Sequence, residues 1–184
     1  VICGGSGALN PDALADFIDL FVLGDGEESI ADIVDFVREW KRQGRGTREE
    51  MLRRLSKTWG MYAPRFYAPR YNADGTIAAI DPVDDSVPAK VVKRFVQELP
   101  PALTNPIVPF VQTVHDRMAI EIQRGCTQGC RFCQAGMIYR PRLERSPEEV
   151  LAVAQELART TGYDELSLVS LSTTDHSRIV EIVD

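Results

Sequence analysis

Met118-Ala119-Ile120-Glu121-Ile122-Gln123-Arg124-Gly125-Cys126-Thr127-Gln128-Gly129-Cys130-Arg131-Phe132-Cys133 is the stretch on which the fold turns. Met118, Ile120 and Ile122 alternate with Ala119, Glu121 and Gln123, the period of a strand with one buried face. That strand delivers the chain to Gly125 and then to three cysteines within eight residues. Three of the four cysteines crowded together make a poor disulfide framework and a good metal or cluster loop. Free thiols of this kind point to a reducing, cytoplasmic compartment.

Iron–sulfur clusters are usually held by four thiolates, so a loop supplying three leaves one iron open. Open coordination suits a centre that binds something at the metal, as it does in catalytic zinc sites. Zinc is the alternative, and its fourth ligand would have to come from Cys3, His115 or His176. None of these stands at zinc-motif spacing.

Downstream, Ser146-Pro147-Glu148-Glu149 predicts a capping box with proline at the first helical position. Val150, Val153, Ala154, Leu157 and Ala158 supply one apolar stripe, and Gly162 ends the helix. Leu166 to Leu171 reads as a strand, followed by the polar turn Ser172-Thr173-Thr174-Asp175. Strand, cysteine loop, helix and strand are the first β/α units of a partial (β/α) barrel.

Upstream, Val1 to Cys3 is strand-like and ends at Gly4-Gly5. Asn10 and Pro11 predict the N-cap and first residue of a short helix with Leu14, Phe17 and Ile18 on its apolar face. Leu20 to Leu23 is a buried strand ending in Gly24-Asp25-Gly26-Glu27-Glu28, where Glu27 and Glu28 read first as partners of a helix dipole. Ile30, Ile33, Val34 and Val37 mark the helix that follows, with Gly44 past its end. The expectation is an α/β chain: the end of a doubly wound, Rossmann-like parallel sheet over 1–44, a connector over 45–112, and the truncated start of the barrel over 113–184. Within the connector, Thr47 and Glu50 form a capping box, and Asn72-Ala73-Asp74-Gly75 reads as a hairpin turn. Both ends look cut, since the chain opens on an apolar strand and closes inside an amphipathic run.

The composition is that of a globular chain, with 44% hydrophobic and 26% charged residues. No stretch approaches the roughly 20 apolar residues of a membrane span. A net charge of −6 argues against nucleic-acid binding through overall charge.

The three-then-two cysteine spacing, with Phe132 before the last cysteine, resembles the signature of the radical S-adenosylmethionine (SAM) superfamily. The resemblance implies a [4Fe-4S] cluster on Cys126, Cys130 and Cys133, with the open iron chelating SAM. It also implies reductive cleavage of SAM to methionine and a 5′-deoxyadenosyl radical, fed by an external flavodoxin- or ferredoxin-like electron donor. Phe132 and the turn Ser172, Thr173, Thr174 and Asp175 fall where the family contacts SAM. Here hydroxyls and Asp175 replace the family's Gly-Gly-Glu.

The run from Gly125 to Pro141, together with the first segment, looks like radical SAM proteins with an N-terminal cobalamin-binding-like domain. Residues 1–44 would be the end of that domain, with Gly4 and Gly5 near the cobalamin nucleotide tail. The alternative for this pair is a tight strand-to-helix turn. Methyl transfer, methylthio transfer and rearrangement are the reactions left open; a non-catalytic iron–sulfur or zinc-binding module, structural or electron-transferring, is the contrasting reading. Between Asp116 and Arg145, six arginines (117, 124, 131, 140, 142 and 145) stand against three acids. An RNA surface is one reading, and charge balance around anionic thiolates is the favoured one.

Overall fold

The computed structural model describes residues 1–44 and 46–184, so Arg45, the first residue of the expected connector, lies outside the described residues. The chain packs as two compact units, Val1–Val96 and Gln97–Asp184.

In the first unit, strand β1 (Ile2–Cys3) pairs in parallel with β2 (Leu20–Val22), Ile2 opposite Leu20 and Cys3 opposite Phe21. Leu20 and Val22 face one apolar cluster and Phe21 and Leu23 another. Covering on both faces is why this strand reads as an unbroken apolar run rather than an alternating one. Each such side chain contributes roughly 1.5–3 kcal/mol on burial. Between β1 and β2 the expected helix is only two 3-10 turns, Ser6–Leu9 and Pro11–Leu14. Asn10 sits at the cap position but makes no side-chain cap bond, and Leu14 and Phe17 stay exposed while Ile18 packs inward. Three apolar residues over so short a span do not cover the cost of nucleating a regular helix.

Helix α1 (Gly26–Arg42) lays Ile33 and Phe36 on the first cluster, while Ile30 and Val34 are exposed. Helix α2 (Arg48–Leu55) starts on the expected capping box: Glu50 N–H donates to Thr47 Oγ1 at 3.2 Å, and Thr47 N–H donates to Glu50 Oε2 at 2.7 Å. The chain then turns at Gly60 and enters β3 (Met61–Tyr62), antiparallel to β2. The sheet, in order β1-β2-β3, is therefore mixed. Nothing in the sequence marks β3, because two residues carry no period to read. Strands β4 (Tyr67–Tyr71) and β5 (Ile77–Pro82) form the expected hairpin around Asn72–Gly75.

In the second unit, β6 (Met118–Glu121) is followed by β7 (Gln123–Arg124), and helix α3 (Ala135–Ile138) by β8 (Leu143–Glu144). Helix α4 (Pro147–Thr161) then crosses over to β9 (Leu166–Val169), which pairs in parallel with β6. Met118, Ile120 and Ile122 meet Val150, Val153 and Leu157 in one core. Gly162 closes α4 at φ 75°, as its place in the sequence predicts. The second capping box is half formed. Ser146 Oγ accepts from Glu149 N–H at 3.1 Å, but the Glu149 carboxylate pairs with Arg145 instead of turning back to the cap. A short helix α5 (Ile179–Val183) packs Ile179 and Ile182 on the same core. The chain is thus mixed α/β with parallel strand pairs. The doubly wound sheet and the partial barrel expected from the sequence extend beyond what these strands form.

Candidate functional site

The cysteine loop is an excursion closed at its neck. Strands β7 and β8 pair antiparallel, Gln123 opposite Glu144 and Arg124 opposite Leu143, so the chain leaves and returns at one point. Gly125 stands at the exit with φ 81°. A Cβ there would lie 2.6 Å from the carbonyl oxygens of both Tyr139 and Pro141, so the two sides of the neck close onto a bare backbone. Gln123 is buried beside it and its Nε2 donates to the Gly125 carbonyl at 3.3 Å.

Cys126 and Cys133 are half-buried, Cys130 is exposed, and all are free thiols. Cys133 N–H donates to the Cys130 carbonyl at 3.0 Å, and Gly136 N–H donates to Cys133 Sγ at 3.4 Å. Among the described residues, no three His, Cys, Asp or Glu side chains stand close enough together to hold a metal ion. The donor set itself, three thiols on one loop with a backbone N–H turned to one sulfur, has the chemistry that an iron–sulfur cluster uses. Phe132 points out, 92% exposed.

The turn after β9 comes to the same place. Residues Thr173–Asp175 form a 3-10 turn with Ser172 as its cap position, and Ser170 and Thr173 hydroxyls lie 3.0 Å apart. Because β6 and β9 are parallel neighbours, the loop following β6 and the turn following β9 share the carboxyl end of the pair, where open α/β sheets bind ligands. Four links hold the two together. Gln128 Nε2 donates to Asp175 Oδ2 at 2.8 Å, and Arg142 Nη1 to the Asp175 carbonyl at 3.2 Å. Ser177 donates to Glu144 through both its N–H (2.9 Å) and its hydroxyl (2.6 Å). His176 is buried, with its Nε2 3.0 Å from the Arg145 carbonyl, and its Nδ1 accepts from Arg178 N–H at 3.1 Å. That acceptor role selects the Nε2–H tautomer, which donates to Arg145.

The Ser172 hydroxyl and the Gln128 amide hold the Asp175 carboxyl below its ordinary pKa. Glu144 is also lowered: burial opposes its ionisation, but the Ser177 donors and Arg142 prevail. The arginines of this region mostly grip protein. Arg145 is buried and bonds to the Glu121 and Pro100 carbonyls at 2.9 and 2.6 Å besides pairing with Glu149. Arg124 pairs with Glu121, and Arg140 holds the Gly136 carbonyl at 3.0 Å. His115 lies against Arg117 at 2.9 Å.

The structure thus brings Asp175 to the cysteine loop. Gln128, Glu144 and Ser177 could not be singled out beforehand, because the partner of Gln128 (Asp175) and the pairing of Ser177 with Glu144 are supplied by the fold and not by local spacing. In the first unit, Gly5 adopts φ 89° at the exit of β1, as a tight turn there requires. Cys3 packs half-buried at the same strand end.

Residues 1–64 match the family described as "Radical SAM proteins, N-terminal", and residues 120–184 match the "Radical SAM superfamily". An uncharacterized protein of Methanocaldococcus jannaschii is 35% identical over 63 residues, covering 34% of this chain and 14% of that protein. Two proteins named ribosomal protein uS12 methylthiotransferase RimO are also similar. The one from Acaryochloris marina is 26% identical over 90% of this chain and 37% of its own length. The one from Frankia casuarinae is 34% identical over 56% of this chain and 18% of its own. The chain therefore spans between 14% and 37% of the length of these relatives. No solved structure matches. No helix among the described residues is long and apolar enough to cross a membrane. With the two family matches in the order that the cysteine loop and the first segment predict, the chain belongs to the radical SAM superfamily.

Proposed function

We propose that this chain is the cluster-bearing part of an enzyme that cleaves SAM reductively, in the service of methylthio or methyl transfer. The observation that carries the reading is the meeting of the cysteine loop and the Ser172–Asp175 turn at the carboxyl end of one parallel strand pair, joined by Gln128 and Asp175. Cys126, Cys130 and Cys133 are the residues that would hold a [4Fe-4S] cluster. A cluster held there and reduced by an external electron donor would supply the electron that splits SAM into methionine and a 5′-deoxyadenosyl radical.

The chain's own residues supply placement. Asp175, ionised and fixed by its donors, offers a carboxylate to the SAM ammonium group, and the Thr173 and Thr174 backbone lies on the same turn. Exposed Phe132 offers an apolar face beside Cys133 for the adenosyl moiety. The neck at Gly125 keeps the loop from swinging away. Methylthio transfer is favoured among the reactions by the printed names of the uS12 methylthiotransferases that the chain resembles. Cobalamin has no part in this reading, and the φ of 89° at Gly5 is what a tight turn there requires.

The test uses the full-length protein, reconstituted with iron and sulfide without oxygen, reduced and given SAM. Formation of 5′-deoxyadenosine, detected by mass spectrometry and abolished in Cys126→Ala, is the expected result. A reducible cluster that neither forms this product nor changes its electron paramagnetic resonance (EPR) spectrum with SAM would overturn the proposal. It would leave the electron-transfer or structural module instead.

A further inference from the structure

Resting on that reading and deepening it, we infer that Gln128 is a positioning residue. Its amide clips the cysteine loop to the Asp175 carboxylate and so sets the distance between the open cluster position and the group that receives the SAM ammonium.

Gln128 lies between the first two cysteines, and its partner is 47 residues away in sequence. The contact exists only because β6 and β9 run side by side. The carboxylate receives Gln128 on Oδ2 and is bonded to Ser172 as well, while Arg142 fixes the Asp175 carbonyl, so the head group is held from several sides. A carboxylate has about four lone-pair sites, so two donors leave room for an ammonium group. The chemistry of the clip matters as much as its position. An amide donates without bringing charge, so the negative charge of Asp175 stays available to a cationic ligand. A lysine there would reach the same carboxylate and cancel it.

The experiment takes the full-length protein, reconstituted without oxygen, as wild type, Gln128→Ala, Gln128→Lys, Asp175→Asn and the Gln128→Ala/Asp175→Asn double variant. Iron and sulfide content is expected to match wild type in all, since Gln128 and Asp175 are not ligands. The KM for SAM in 5′-deoxyadenosine formation should rise about tenfold in Gln128→Ala, the size expected for a lost hydrogen bond to a charged group. kcat should change much less, and Gln128→Lys should be worse than Gln128→Ala. The SAM-induced change in the EPR spectrum of the reduced cluster should weaken in parallel. The double variant should be no worse than Asp175→Asn, because both changes remove one interaction.

Gln128→Ala with wild-type KM and EPR response, additive single variants, or a Gln128→Lys that binds SAM as well as wild type would each overturn the clip. Loss of the cluster in Gln128→Ala would overturn it too, by placing Gln128 in cluster assembly. A wild-type cluster without any response to SAM is a distinct result, which removes the functional reading and the clip with it.

Discussion

At the residue scale, glycine separates the positions the loop depends on from those it merely tolerates. Gly125 and Gly129 both have positive φ, 81° and 68°. At Gly125 an added Cβ meets two carbonyl oxygens at 2.6 Å; at Gly129 the nearest atom is the Arg140 Nη2 at 3.9 Å. Gly129→Ala should therefore cost only left-handed strain, about 1 kcal/mol. Gly125→Ala should add overpacking of backbone and cost about 2–4 kcal/mol. Urea unfolding followed by circular dichroism should separate the two, and only Gly125→Ala should lower the iron bound after reconstitution. The three cysteines are legible in the sequence as a candidate ligand set because ligand chemistry needs particular atoms at short spacing. Gln128 is not, because its partner is supplied by strand pairing and any polar residue fits the spacing.

At the scale of elements, what could be read was what is local. The Thr47 box, the Asn72–Gly75 hairpin turn and the Gly162 stop each depend on residues within a few positions, and each forms. The Ser146 box forms only halfway, because a tertiary partner, Arg145, takes the Glu149 carboxylate. Ser146→Ala should still cost about 1 kcal/mol, since the hydroxyl does cap α4. The start of α4 is also tied to α5: the Arg178 guanidinium beside Glu148 holds its carboxyl down at about 2. A carboxyl lowered from its usual 4.5 contributes stability present above that value and lost as pH falls towards 2. The pair is exposed, so the contribution is small and the titration is the sensitive readout. Carbon-detected NMR of Glu148 should show a midpoint near 2 that moves up towards the ordinary value in Arg178→Ala.

At the scale of the whole molecule, the Gly24-Asp25-Gly26-Glu27-Glu28 loop does more than start a helix. Residues 93–96 run alongside it: Arg94 N–H donates to the Leu23 carbonyl at 2.8 Å, and Asp25 N–H to the Arg94 carbonyl at 3.0 Å. Val96 N–H reaches Asp25 Oδ2 at 2.9 Å. Arg94 pairs with Glu28 and Asp32, so Glu28 serves the strap as well as the helix terminus. This is how a long segment without helix or strand is tied to the first unit, and it was invisible in the sequence because the two partners are about seventy residues apart. Two substitutions separate the backbone seat from the ion pairs. A Cβ at Gly24 would lie 1.9 Å from the Arg94 carbonyl oxygen, a clash with backbone that no rotamer change relieves. Gly24→Ala should unseat the strap and destabilise the protein by more than about 3 kcal/mol. Arg94→Ala removes two ion pairs whose acids, Glu28 and Asp32, are exposed, and it leaves the backbone bonds, so about 1 kcal/mol is expected. Limited trypsinolysis checks both, because cleavage at Lys93 requires the strap to leave its seat. Gly24→Ala should be cut there at concentrations that spare wild type, whereas Arg94→Ala should resist nearly as well as wild type. Equal resistance in Gly24→Ala and wild type would mean that the strap is held by contacts other than this glycine seat.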